Sequence, residues 1–155
     1  MCVQTYRHRQ KAMLSTRLLL GIPMVLFLIL TASLLITGRG MVEAIGPIIA
    51  VLILLVIDTL FRSLTVTIDP KNISLVFGPG IIQKKFRISE IETASTVRNR
   101  WWYGLGIRKI NGGWMYGISG LDAIELVMND KRRFRIGTDE PDRLFVAIEA
   151  IRSQT

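Results

Sequence analysis

The chain of 155 residues contains one histidine, His8, and one cysteine, Cys2. These are the residue types most often recruited for proton transfer, thiol chemistry and metal binding, and both fall in the first eight positions. No Ser–His–Asp or Cys–His set can be assembled from them, and no Cys/His cluster has zinc spacing. A lone cysteine also makes no intramolecular disulfide, which suits a reducing compartment. Carboxylates at Glu92, Asp122 and Glu125 could be arranged as acid/base pairs, but acids on strands ordinarily pair with strand arginines. Glycines at Gly104, Gly106, Gly112, Gly113, Gly117 and Gly120 match neither a G-x-G-x-x-G turn between strand and helix nor a G-x-x-x-x-G-K-[ST] loop. They are expected at turns and bulges. The chain reads as non-enzymatic, with no catalytic residue, metal or cofactor.

What remains is the chemistry of contact. Trp101-Trp102-Tyr103 puts three aromatics in a row. Neighbouring side chains of an extended chain point to opposite faces, so at least one of them lies on the surface or in a loop. Two placements fit: a loop dipping into the membrane interface, where Trp and Tyr are favoured, or one Trp plugging the core while the other covers its rim. Lys85, Arg87, Arg133 and Arg135 occupy outward positions on strands and are candidates for contact with an anionic leaflet. Acids at Asp122, Glu125 and Asp130 dilute that charge.

The elements that position these residues begin with two blocks of nearly pure hydrocarbon. Leu18–Ile36 and Ala44–Ile57 carry no charge and are separated by Gly38-Arg39-Gly40. A span needs about 20 helical residues to cross about 30 Å. Helices over about 18–38 and 41–61 meet that length, with Glu43 and Asp58 at the headgroup levels. The first block is too long for a signal h-region and has no A-x-A site after it, so it is expected to remain uncleaved. Gly46 and Ala50 form a small-xxx-small pair that admits a second helix closely. Pro23 and Pro47 are expected near the helix starts.

Of the formal charge of +8, the tail contributes Arg7, Arg9, Lys11 and Arg17 with no acid. From Leu64 onward fourteen Lys/Arg face ten Asp/Glu. That distribution favours anionic lipid over nucleic acid. The positive-inside rule puts both termini in the cytoplasm and the hairpin in the cytoplasmic (inner) membrane. Residues 1–17 then form a basic cytoplasmic tail, 18–62 a two-helix transmembrane hairpin, and 63–155 a cytoplasmic domain.

From Leu64 the pattern turns to alternation. Leu64, Val66 and Ile68 make one half-buried strand and Ile73, Leu75 and Phe77 a second. Further strands are expected at about Ile81–Ile88 and Ile91–Arg98, then around Trp114–Ile118, Ile124–Met128 and Phe134–Ile136. A hairpin turn is expected at Asn129-Asp130-Lys131. Leu144, Ile148 and Ile151 recur at helical spacing after Thr138 or Asp139 as cap. The fold class is a membrane α-helical hairpin plus an α+β domain of seven strands and a terminal helix.

Trp101–Leu126 (WWYGLGIRKINGGWMYGISGLDAIEL) followed by Arg132–Ile148 (RRFRIGTDEPDRLFVAI) resembles the second half of bacterial pleckstrin-homology-like (PH-like) domains that follow a two-helix membrane anchor. The resemblance covers about Leu64 to Ser153. It implies a seven-stranded bent β-barrel capped by a C-terminal α-helix, serving as a binding module for protein or lipid headgroups at the inner leaflet. The first hairpin, Asp69-Pro70-Lys71-Asn72, lacks the dense basic cluster of phosphoinositide-binding relatives. A different class is an oligomeric small pore or transporter subunit built from the hairpin. The partners expected are the bilayer itself, anionic lipid, and a protein partner or a second copy of the chain, with no nucleic acid.

Overall fold

The computed structural model describes residues 6–38, 41–100, 106–118 and 120–153. Two units emerge, Met13–Leu60 and a discontinuous one made of Met1–Ala12 with Phe61–Thr155.

The first unit holds α1 (Leu14–Ile36) and most of α2 (Met41–Phe61). Helix α1 starts four residues before the charge-free block, takes in Arg17, and so places Pro23 inside the helix and not near its start. Pro47 is likewise inside α2. The hydroxyls of Thr31 and Thr59 donate to the carbonyls of Phe27 and Leu55, both at 2.8 Å, so neither is left unsatisfied in an apolar helix. Only Ala44 and Val51 are buried in α2, while leucines, isoleucines and valines stand exposed all around both helices. A helix that is apolar on every face is one that protein or a bilayer covers. Both helices are long and apolar enough to cross a membrane.

The second unit is a two-sheet β domain. One sheet has the order β1-β2-β3-β4, from β1 (Tyr6–Lys11), β2 (Ser63–Ile68), β3 (Asn72–Phe77) and β4 (Ile82–Arg87), all antiparallel. A 3₁₀ turn at Ile88–Glu90 leads to β5 (Ile91–Arg98). The strands β6 (Gly106–Ile110), β7 (Gly113–Gly117), β8 (Asp122–Met128) and β9 (Arg133–Gly137) join β5 in the order β5-β8-β9-β7-β6. Within this sheet β7 and β9 run parallel and the other pairs antiparallel. Helix α3 (Pro141–Arg152) packs on β5, β8 and the 3₁₀ turn, burying Leu144 and Ile148 completely.

The described residues thus contain nine strands where alternation predicts seven. The structure differs first at the N-terminus: Tyr6–Lys11, expected within a tail, is the edge strand of the four-stranded sheet. It runs in register with β2 from Tyr6↔Ile68 to Lys11↔Ser63. The second addition is β6, joined to β7 through Asn111-Gly112. Gly112 takes φ +85, a left-handed conformation that glycine adopts without steric cost. Gly113 opens β7 so close to β9 that a Cβ there would lie 1.6 Å from the Arg133 carbonyl oxygen. Only glycine fits.

Between the sheets, the inward alternate residues of β2 and β3 (Leu64, Val66, Ile68, Ile73, Leu75 and Phe77) meet Ile124, Leu126 and Ile136 from the other sheet. Phe86 packs against Phe134 with ring centroids 4.8 Å apart and meets Tyr116 edge-on at 6.0 Å. Phe61, the last residue of α2, sits edge-on to Phe77 at 5.8 Å. Gln10, on the inward face of β1, is buried and donates from Nε2 to the Gly137 carbonyl at 2.6 Å. Arg7, on the opposite face of the same strand, is exposed.

That contrast is measurable. Gln10→Ala is expected to destabilise the detergent-solubilised chain by about 1–3 kcal/mol, the cost of losing a buried hydrogen bond. Arg7→Ala should stay within about 0.5 kcal/mol, as exposed substitutions do. Thermal unfolding followed by circular dichroism checks both, and equal, negligible effects would mean that β1 does not form.

Candidate functional site

The four basic residues anticipated to act together are divided between the two sheets. Lys85 and Arg87 lie on β4 and point away from the core on the four-stranded sheet, as the inward position of Phe86 between them requires. Arg133 and Arg135 lie on β9, on the outer face of the five-stranded sheet. The core separates these faces.

Arg135 is not a free cation. Its Nε donates to Glu125 Oε2 at 2.7 Å and its Nη1 to Asn99 Oδ1 at 3.1 Å. The two charged side chains are only 21% and 12% exposed. This cross-strand pair, set by the Glu125↔Arg135 register, neutralises its own charge and ties Asn99 to the sheet. Arg133 is exposed, and its aliphatic stem runs beside Gly112, where a Cβ would meet its Cδ at 3.5 Å.

Lys85 and Arg87 have different company. The ladder registers put Arg7, Thr67, Ser74 and Lys85 in one row across the outer face of the four-stranded sheet. The next row runs Arg9, Thr65, Val76 and Gln83. Lys11 stands opposite Ser63, and Asn72 opposite Arg87. Cations line both edges of this face, and side-chain hydroxyls fill the middle. Arg9 donates from Nη2 to Ser63 Oγ at 3.2 Å. Among the described residues, Arg87 is the one cation of this face in an ion pair, with Glu90 at 3.2 Å.

Three members of this face, Arg7, Arg9 and Lys11, are not among the site residues that the sequence points to, since there they fall in a tail. Their i, i+2, i+4 spacing was the available signal.

The other face of β1 meets the end of β9 and the residues that lead from it into α3. Beside the Gln10–Gly137 bond, His8 Nε2 donates to Asp139 Oδ1 at 2.7 Å, and His8 Nδ1 lies 3.6 Å from Glu140 Oε2. The single histidine is thus a strut between β1 and the approach to α3. Among the described residues no group of three or more His, Cys, Asp or Glu converges on a metal-sized site. Tyr6 completes the row. Its hydroxyl is buried and has no hydrogen-bond partner among the described residues. Burial, and then the carboxylates of Glu140 and Asp139, push its pKa up to about 12.

Trp101, Trp102 and Tyr103 lie outside the described residues. Gly46 is exposed on α2, and a Cβ there would meet nothing within 4 Å. Ala50, one turn on, is half-buried. No family model matches the chain, and no curated protein matches it significantly either.

Tyr6 yields a pH prediction. Its folded pKa is raised above 10, so the protonated phenol is favoured in the folded state. Its contribution is full below pH 10 and is lost as pH rises from 10 to 12. Tyr6→Phe removes an unsatisfied buried hydroxyl. It should be at least as stable as the unsubstituted chain at neutral pH and lose less stability over that alkaline window. Unfolding midpoints across the pH series check the sign.

Proposed function

We propose that the chain is a membrane-anchored, non-enzymatic PH-like module that makes protein or lipid-headgroup contacts at the inner leaflet, with both termini in the cytoplasm. The observation that carries this reading is the junction between the anchor and the sheet. The chain leaves β1 at Lys11 and rejoins β2 at Ser63, directly opposite in the ladder, and the Ala12 N–H donates to the Arg62 carbonyl at 3.0 Å. Two segments hydrogen-bonded in this way lie on the same side of any membrane that the intervening helices cross twice. The flanking charges support the cytoplasmic side: Arg7, Arg9, Lys11 and Arg17 precede α1, and Arg62 and Lys71 follow α2, against Arg39 between them.

The PH-like assignment draws support from two packed sheets with a C-terminal helix seated against one of them. Strands β1 and β6 and the parallel β7/β9 pair are additions to the seven-stranded antiparallel plan. The absence of specific inositol-phosphate recognition remains part of the proposal, since Asp69–Asn72 supplies a single lysine. The alternative, a pore of identical hairpins, draws on the open flank at Gly46.

Two measurements test the proposal. In a Cys2→Ser background, a membrane-impermeant maleimide should label Gly38→Cys in intact cells, and Ser153→Cys only after permeabilisation. The reverse pattern would invert the orientation. Cross-linking in native membranes is expected to trap a different protein or lipid on the β domain. A closed ring of identical chains joined through Gly46 and Ala50 would instead establish the pore.

A further inference from the structure

We infer that the outer face of the four-stranded sheet is a docking surface for the anionic phospholipid leaflet next to which the domain is tethered. This deepens the proposed function, because it rests on α1 and α2 spanning a membrane, and it names one face and one class of ligand.

The argument begins with charge. Arg7, Arg9 and Lys11 on β1 and Lys85 on β4 are exposed, and none has a carboxylate within ion-pair distance among the described residues. On the five-stranded sheet and its β8–β9 turn, Arg135 pairs with Glu125, Lys131 with Glu92 and Arg132 with Asp130, while Arg133 has no ion pair among the described residues. The outer face of the five-stranded sheet contains its own acid. The two complete rows across the outer face of the four-stranded sheet hold no acid, and Glu90 beside that face is taken up by Arg87.

The second part is the pattern of donors. Between the two cationic edges stand Thr67 and Ser74, whose hydroxyls donate to oxygen acceptors. Phosphodiester oxygens accept hydrogen bonds and carry negative charge, so they match both the hydroxyls and the cations. A protein partner would call for aromatic or aliphatic anchors. In the two complete rows across this face Val76 is the one apolar side chain.

The third part is geometry. Arg7 and Lys85 end a row of four strands, so at strand spacing they stand about 14 Å apart. No single phosphate reaches both. An open sheet face with charges spread that widely suits a plane of headgroups better than one soluble anion. Lys11 and Ser63 are each within three residues of a membrane helix, so the leaflet is held at high effective concentration without recruitment.

The test uses the full chain in lipid nanodiscs. With Cys2→Ala as background, bimane is attached at Thr67→Cys, or at Ser95→Cys on the outer face of the five-stranded sheet, and quenched by neutral acrylamide. In discs containing about one-third phosphatidylglycerol, the Thr67 probe should be quenched about threefold less than in pure phosphatidylcholine. The Ser95 probe should report no difference. Raising salt until the Debye length falls to about 3 Å should abolish the protection in the otherwise unaltered chain. Arg7→Glu with Arg9→Glu, and separately Lys85→Glu on the opposite edge, should also remove it, whereas Arg133→Glu should not. Equal quenching of Thr67 in both lipids, with the protein still integral to the discs, overturns the inference and leaves the anchor reading intact. Protection in phosphatidylcholine discs only on adding soluble polyphosphate overturns it in favour of a free anion. Failure of the chain to resist carbonate extraction from membranes overturns the anchor reading itself.

Discussion

The ladder between β1 and β2 is the constraint on which the rest depends. It joins residues 6–11 to residues 63–68, across the whole apolar hairpin. Backbone groups buried without partners are costly, so a β2 left as an edge would have to be covered some other way. Here the cover comes from the segment that precedes α1. One set of hydrogen bonds therefore completes the four-stranded sheet, brings the two ends of the hairpin together, and aligns Arg7, Arg9 and Lys11 with Lys85. The inward side chains of the same strand reach Gly137 and Asp139, fastening this sheet to the segment that leads into α3. Fold, anchorage and surface charge meet in six residues.

The sequence made the bulk of the domain legible wherever burial followed a regular period. Leu64, Val66 and Ile68, and then Ile73, Leu75 and Phe77, alternate as they must on a sheet with one wet face, and β5 spans Ile91–Arg98 as its pattern predicts. The turn at Asn129-Asp130-Lys131 is also where expected, with Lys131 at φ 67 and its N–H donating to the Met128 carbonyl at 2.8 Å. The stripe Leu144, Ile148 and Ile151 faces the core from α3. Strand β1 escaped because its inward residues are Tyr6, His8 and Gln10. His8 and Gln10 fill the inward face with polar contacts and Tyr6 alone packs on the core, so the hydrophobic alternation that marks a strand is missing. Strand β6 escapes for a different reason: it is five residues long, and the apolar Ile107 and Ile110 of GIRKI do not alternate.

The candidate surface was half legible. Charge and exposure singled out Lys85 and Arg87 correctly as outward residues, because Phe86 between them fixes the face. The sequence could not separate them from Arg133 and Arg135, since strand order across two sheets is a tertiary property. Nor could it foresee that Arg135 is occupied by Glu125 and Asn99. A basic residue on a strand is available to a ligand only if its cross-strand neighbour is not an acid, and that neighbour is set by register.

The chain order of the β domain also has a bearing on biogenesis. A nascent chain delivers β1 first, but its partner β2 emerges only after the entire hairpin has been made. Domains otherwise tend to fold as their N-terminal parts appear, and a contact this distant in sequence is slow to form. On the proposed reading, in which α1 and α2 cross a membrane, completion of the sheet waits on insertion and requires the two apolar segments to have returned the chain to the side from which it started. A hairpin left with one end across the bilayer would strand β1 and β2 in different compartments. The domain would then lack an edge strand, and the unfinished sheet would mark the molecule as misinserted.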